Sequence, residues 1–354
     1  MDLLSKKSPI IPPSDPAVQR HLRDQAYRNY QDLSGLNSNM DSVDDRVTTL
    51  EGKYLSSAVT KTIGSGGDFA NFKQAIAWKR QYHFPEGAQV IFQLCSDVNI
   101  TTQADYTWTY DIDPRFTTYA ALLVQQSDGY VVLDMNSYDI SAGNGADAVN
   151  MLVAKYGGRL RVYNSSTEYV SRIYSNYRYK GSGVFAEFNS HISADDNSYI
   201  YIGKDGGEFG NGILARFDSS ISFSALDAYD PTKKVYYCRQ GVLCQYQSVV
   251  SCPYIKCFGR SKTSTTYTYA GLYVRHNSFI YAQGSYMNTF YIAATTQTQA
   301  YVEAPSSTFY NCYYGFYAAN MGLSFGNNMV FSSVTDTHCP NANTIGNGNS
   351  INIQ

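Results

Sequence analysis

Four times the chain writes one pattern: GVFAEFNSHI from Gly183, GILARFDSSI from Gly212, GVLCQYQSVV from Gly241 and GLYVRHNSFI from Gly271. Each copy reads Gly, an aliphatic residue, five variable positions, Ser, one more variable position, then Ile or Val. The starts lie 29, 29 and 30 residues apart. A period of that size marks one supersecondary unit that buries its apolar face only by stacking on its neighbours. Of all the features in the sequence, this one most restricts the fold.

The columns can be read one at a time. Val184, Ile213, Val242 and Leu272, then Ala186, Ala215, Cys244 and Val274, then Phe188, Phe217, Tyr246 and His276 occupy alternate positions. Alternate residues share one face of a strand, so all three columns are assigned to the interior, medium then small then large. Glu187, Arg216, Gln245 and Arg275 alternate with them and are expected in solvent. Asn189, Asp218, Gln247 and Asn277, followed by Ser190, Ser219, Ser248 and Ser278, place hydrogen-bonding side chains where the chain bends, and such side chains can bond to the copies above and below. Ile192, Ile221, Val250 and Ile280 then re-enter the core. Weaker copies open at Tyr291 and Gly315, while NMLVAKYGGRL from Asn150 fits only with a one-residue slip.

Equivalent strands stacked in parallel describe a parallel β-helix, each coil adding ~4.8 Å. Propeller blades need ~40 to 45 residues, and leucine-rich repeats need their own Leu and Asn pattern. With 33 Tyr and 27 Gly, the composition also favours strands and turns. The expected class is all-β: a right-handed parallel β-helix with an N-terminal helical, coiled-coil segment. One column departs from alternation: Phe185, Leu214, Leu243, Tyr273, Ala293 and Tyr317 are apolar although they point outward. An exposed apolar stripe of that kind implies a partner surface, and Phe185, Leu214, Leu243, Tyr273 and Tyr317 are assigned to the interface of a homotrimer.

The N-terminal part is organised differently. Residues 1–15 carry Ile10, Ile11, Pro12 and Pro13, too little to pack a core, and are read as a flexible docking peptide. Residues 16–58 are read as helix followed by a short coiled coil. Pro16 suits a first helical turn, and Leu33, Leu36, Met40, Val43, Val47, Leu50 and Tyr54 follow at heptad spacings of 3 and 4. The competing reading of that stripe is an amphipathic helix lying on its own domain. Residues 59–88 read as a glycine-rich loop (Gly64, Gly66, Gly67) and a capping helix, 89–340 as the β-helix and 341–354 as a C-terminal tail. The glycine loop lacks the Lys-Ser/Thr of a phosphate cradle and the dinucleotide fingerprint, so no nucleotide or other cofactor is expected.

A formal net charge of −2 gives no basic field for nucleic acid. Seven Cys without CxxC pairs and five scattered His suggest neither a zinc site nor a disulfide framework. No metal is expected, and the thiols suit assembly in a cytosol. The first residues lack a secretory signal, and no stretch reaches ~18 apolar residues, so membrane insertion is not expected.

In its N-terminal peptide and helix, its heptads, and the opening TIGSGGDFANFKQAI followed by GAQVIFQLCSDVNIT, the sequence resembles the β-helical proteins of tailed-bacteriophage virions, the tailspikes, fibres and related appendages. Similar openings occur in pectin-esterase-like β-helices, but no match to their catalytic sequences is found. The resemblance covers roughly residues 16–340. It implies a trimer on the virion, assembled in the host cytoplasm, joined to other virion proteins through the N-terminus and contacting bacterial surface polysaccharide. The chain ends at NANTIGNGNSINIQ without an obvious C-terminal trimerising domain, which favours a shorter fibre, adaptor or decoration protein. The alternatives are a polysaccharide depolymerase, hydrolase or lyase, and a glycan-receptor-binding protein without catalysis.

Glycan hydrolysis needs two carboxyl groups about 5 to 9.5 Å apart. Asp205 and Glu208 in GKDGGEFG, with Asp218 on a neighbouring coil, are the candidates, although Asp218 also fills a turn column and GKDGGEFG has the composition of an exposed loop. Asp195 and Asp196 lack a calcium-loop spacing. His276 reads as a stacked residue and Cys244, Cys252 and Cys257 as buried thiols. The tyrosines suit either sugar faces or half-buried strands, and their spread along the chain favours the second.

Overall fold

A computed structural model describes residues 16–51, 57–82, 84, 89–143, 149–166, 168–175, 181–195, 197–203, 209–225, 233–259, 269–320, 323–326, 329–338 and 350–353. The docking residues Ile10, Ile11, Pro12 and Pro13, the last seam residue Tyr54, and Asp196, Asp205 and Glu208 lie outside the described residues. The chain divides into two units, Met1–Leu55 and Ser56–Gln354.

In the first unit, α1 (Pro16–Glu51) is one continuous helix, so the two N-terminal segments separated in the sequence reading are joined. Gly35 costs about 1 kcal/mol against Ala in a helix interior without ending it. Leu33, Leu36, Met40 and Val43 are 36 to 57% exposed. The side chains of Val47 and Leu50 lie outside the described residues.

The second unit is built from coils. Its strands form an eleven-stranded, a nine-stranded and a ten-stranded sheet, and through the coils a strand pairs with the strand three places on in the chain. The pairings are parallel, except where Thr107–Thr109 runs antiparallel to Thr117–Val124. This is the all-β, parallel, coiled architecture the repeat requires. The four strong copies stack in register on the ten-stranded sheet: Val184 opposite Ile213, Ile213 opposite Val242, Val242 opposite Leu272.

Two boundaries move. Val59–Ile63 precedes the glycine loop and pairs with Val90–Leu94 as the first strand of the eleven-stranded sheet. Ser350–Ile353 pairs with Leu323–Gly326 as its last strand, so part of the expected tail belongs to the β-helix. Between the first two strands, α2 (Phe72–Lys79) buries Phe72, Ala75 and Ile76 against the core. Asn71 starts α2: its side chain accepts from the Gln74 N–H, and the Gln74 side chain accepts from the Ala70 N–H.

Pairing also corrects the weak copies. Leu272 faces Ala294, and Ala294 faces Phe316. Ala293, not Tyr291, therefore holds the glycine column, and Thr295, not Ala293, follows Tyr273 in the apolar one. The later coils are each 22 residues long. Upstream, Leu152 faces Val184, so Met151 occupies the glycine column and the apparent slip is one of starting residue.

Each recurring residue has a physical reason. A Cβ on Gly212 would sit 2.2 Å from Val235 Cγ1 and 2.7 Å from the Gly241 carbonyl oxygen, and one on Gly241 2.6 Å from the Gly271 carbonyl oxygen. These strand positions pack too closely on the neighbouring strand and coil for a side chain. The serines form a ladder in which the Ser190 N–H donates to Ser219 Oγ, the Ser219 N–H to Ser248 Oγ and the Ser248 N–H to Ser278 Oγ, at 3.1 to 3.2 Å. All four serines are buried, and the hydroxyls of Ser219, Ser248 and Ser278 each accept a backbone N–H of the preceding copy.

The fifth column is not interior. Phe188, Phe217, Tyr246 and His276 have φ of 55 to 57° and so do not continue the strand alternation. Their rings stack at 4.6 to 5.0 Å on a part-exposed edge, Tyr246 being 36% exposed. The paired left-handed residues turn the corner, and the aromatic stack offsets their strain.

Candidate functional site

Among the described residues of the second unit, two grooves stand out. The first, of about 540 Å³, runs over the outer face of the ten-stranded sheet. Phe185, Leu214, Leu243 and Tyr273 form its floor and are only 3 to 6% exposed. The expected solvent-exposed interface stripe is therefore already buried within one chain; Tyr317, further along, is partly buried against the core. The polar column beside it is also more buried than expected. Glu187, 2% exposed, pairs with Lys155 Nζ at 2.8 Å and with Arg216 Nε. Lys155 also donates to the Tyr110 hydroxyl, and Arg275 Nε donates to Gln245 Oε1 at 2.7 Å. Charged groups so enclosed are retained only when paired.

The second groove, of about 490 Å³, crosses the nine-stranded sheet and is lined by Tyr174, Tyr201, Tyr236, Tyr237, Asp139, Arg172 and Gly203. Its rings come from three coils. Ser171–Ser175 supplies Tyr174, Ile200–Ile202 supplies Tyr201, and Lys233–Cys238 supplies Tyr236 and Tyr237. Ile173, Ile202 and Val235 point inward and are fully buried, so strand alternation turns Tyr174, Tyr201 and Tyr236 outward. All four rings are half-buried.

Tyr237 follows Tyr236 directly and would point to the opposite face in a regular strand. At Tyr237 the register with Lys256–Gly259 shifts and φ is +52°, a bulge that keeps both rings on the groove side, with centroids 6.2 Å apart. Tyr201 meets Tyr236 edge to face at 5.7 Å, and Tyr236 stacks on Phe258 at 5.0 Å. Lys234 Nζ lies 4.7 Å from the centre of the Tyr201 ring and Lys256 Nζ 5.7 Å from that of Tyr286. Arg172 Nη1 is 3.8 Å from Asp139 Oδ2. Burial pushes the Tyr236 phenol above its usual range, Lys234 acting against it. A Cβ on Gly203 would lie 2.4 Å from the Tyr236 carbonyl oxygen, so only glycine lets the groove floor pack this closely.

Of the catalytic candidates, Asp218 alone is described. It is exposed at the second left-handed turn position, and its N–H donates to the Tyr246 carbonyl, which is the turn role the sequence offered for it. Asp195 pairs with both Arg161 Nε and Nη2, at 2.8 and 2.7 Å. Burial pushes the Cys244 thiol up to about 12 and raises the Cys252 and Cys257 thiols as well, so none supplies a thiolate. The four groove tyrosines were not selected from the sequence, although Tyr174, Tyr201 and Tyr236 lie 27 and 35 residues apart, close to the repeat period. That period, applied to tyrosine alone, was the available signal.

His276 stacks on Tyr246 at 4.6 Å. Burial, and then the neighbouring Arg275, lowers its pKa; burial, and then Arg159, lowers that of His191. The unfolded chain then takes up these protons first, so the stabilising contribution is complete above about 6.5 and is lost as pH falls through the lower folded values. The urea midpoint is expected to drop between pH 7 and 5, and to drop less in His276→Phe, which keeps the stack. Equal pH profiles for the two proteins would show that His276 does not contribute.

No family model, curated protein or solved structure matches the chain. Among the described residues no helix is long and apolar enough to cross a membrane.

Proposed function

We propose that this chain is a structural subunit of a tailed-bacteriophage virion: a homotrimeric appendage with a β-helical shaft, joined to the particle through its N-terminal segment and turned towards the host surface. The β-helix takes the right-handed sense that parallel crossovers adopt. The observation that carries the reading is α1, whose heptad residues Leu33, Leu36, Met40 and Val43 stay exposed. Three identical helices wound in parallel cover all three stripes at once. A β-helix that follows in the same chain gives such an assembly its shaft.

Sedimentation equilibrium tests the assembly. The intact protein is expected at the mass of three 39.4 kDa chains, and Leu36→Ser with Met40→Ser is expected to return it to one, with the β-sheet circular dichroism unchanged. A monomeric wild-type chain would sink the reading. Deleting residues 1–32 is expected to leave a trimer that no longer joins the particle. The second reading, a depolymerase, has a specific requirement: two carboxylates facing one groove. Among the described residues lining the tyrosine groove, Asp139 is the one carboxylate, and the candidates Asp205 and Glu208 lie outside the described residues. Incubation with host surface glycans is expected to release no new reducing ends or unsaturated sugars; their appearance would make the chain an enzyme.

A further inference from the structure

We infer that the groove on the nine-stranded sheet holds one neutral planar aromatic ring with an amide-like edge, inserted at Gly203 between the rings of Tyr174 and Tyr236. The inference stands on the β-helix alone and does not depend on the appendage reading.

Register defines the place. Ile173, Ile202 and Val235 face one another on three successive coils, so the residues that follow them, Tyr174, Gly203 and Tyr236, form one outward column. The column continues with Phe258, which stacks on Tyr236 at 5.0 Å with the ring planes 11° apart. Of these four rungs, Gly203 alone has no ring. A Cβ there would meet the Tyr236 carbonyl oxygen at 2.4 Å, and φ is +87°, so the chain cannot place a ring of its own at this rung.

The backbone sets the width that results. Hydrogen-bonded strands lie ~4.8 Å apart, so Tyr174 and Tyr236, two coils apart, are separated by roughly 9.6 Å. A ring halfway between them has a partner at ~4.8 Å on either side, the spacing of stacked aromatic pairs. The protein uses this spacing itself: Phe188, Phe217 and Tyr246 stack at 4.6 to 5.0 Å with planes 4 to 7° apart. Tyr174, Gly203 and Tyr236 all line the groove of about 490 Å³, which has the size of a small-ligand site. Phe258 behind Tyr236, and Tyr201 edge to face with it at 5.7 Å, hold that wall in place before a ligand arrives.

The polar lining narrows the class. Among the described residues lining the groove, the charged groups are Arg172 and Asp139, one of each sign. Arg172 Nη1 is 3.8 Å from Asp139 Oδ2, and the Arg172 N–H donates to Asp139 Oδ1 at 2.7 Å. Their charges cancel, and an ionised ligand would bring an uncompensated charge into the groove. A guanidinium donates and a carboxylate accepts. An edge that carries one acceptor beside one donor, as a carboxamide does, is complementary to the pair.

The experiment uses the intact protein and four probes of similar size, titrated by ligand-observed nuclear magnetic resonance. They are benzamide, the non-planar cyclohexanecarboxamide, the anion benzoate and the cation benzamidine. Benzamide is expected to bind in the millimolar range. It is expected to bind at least about fivefold more tightly than cyclohexanecarboxamide, the effect of two aromatic contacts beyond buried area, and more tightly than either ion. Tyr174→Leu keeps an apolar wall but removes one ring, so it is expected to weaken benzamide by about threefold while cyclohexanecarboxamide is unchanged; Tyr174→Phe is expected to bind benzamide as the wild type does. The ratio of the two affinities is the quantity read, because a general loosening of the fold lowers both and loss of the ring lowers one. Arg172→Met leaves the Asp139 charge uncompensated and is expected to make benzamidine the tightest of the four. The inference is overturned if benzamide does not bind at tens of millimolar, or if cyclohexanecarboxamide or benzoate binds as tightly. It is equally overturned if Tyr174→Leu leaves the ratio unchanged or Arg172→Met leaves the order of the probes unchanged. The sedimentation result has no bearing on these ratios, so the assembly and the site fail separately.

Discussion

Glu187→Ala is expected to lower the stability of the β-helix by about 3–5 kcal/mol, the cost of removing one partner from a buried ion pair. Glu187 is held between Lys155 and Arg216 on the coils either side of it. The Lys155 side chain is only 7% exposed, and without Glu187 it keeps the Tyr110 hydroxyl and the Tyr110 and Phe185 rings but no negative charge. Arg216 is one-third exposed and can turn to water, so most of the cost arises at Lys155. A double variant, Glu187→Leu with Lys155→Met, removes both charges and keeps the volume, and it is expected to recover most of the loss. Urea denaturation followed by circular dichroism gives both values. A loss below about 1 kcal/mol for Glu187→Ala would mean that the pair is solvated like a surface ion pair.

The second large effect lies further along the chain. Phe309→Ala is expected to cost about 3–5 kcal/mol, the range for truncating a buried aromatic ring. Phe309 is fully buried, edge to face with Phe316 at 5.2 Å and with Phe331 at 5.5 Å. The coils here are 22 residues long against 29 or 30 earlier. Because each coil touches mainly its neighbours, hydrogen exchange is expected to quicken in Phe279–Ser332 while Met151–Arg216 stays protected. Uniform quickening across all coils would show that the β-helix unfolds as one unit. Phe309→Leu is expected to cost less than half as much, since most of the cavity is refilled.

The strand glycines, the serine ladder and the inward aliphatic columns were legible in the sequence because each answers to a neighbour at a fixed register. Once one coil is stacked on the next, a Cβ at Gly212 or a missing hydroxyl at Ser219 meets the same obstacle in the four strong copies, and the pattern repeats. Phe188, Phe217, Tyr246 and His276 were misplaced because strand alternation holds only while φ stays negative. Nothing local in FNS, FDS, YQS or HNS announces two consecutive left-handed residues. The late copies were misaligned at Tyr291 for a similar reason: when the coil shortens to 22 residues, sequence spacing no longer follows spatial register, and hydrogen-bond pairing decides it.

The sequence by itself determined the parallel stack, the all-β class and the heptad spacing in α1, all of which follow from periodicity. Tertiary structure alone decided what the outer faces carry. Phe185, Leu214, Leu243 and Tyr273 read as an exposed stripe, yet they line the floor of a groove, because burial of an outward residue depends on what flanks the sheet and not on its own strand. Tyr174, Tyr201, Tyr236 and Tyr237 read as scattered, yet coiling brings residues some 30 positions apart to within a strand spacing of one another. The bulge at Tyr237 then turned one more ring to the same side, a step set by φ at a single residue.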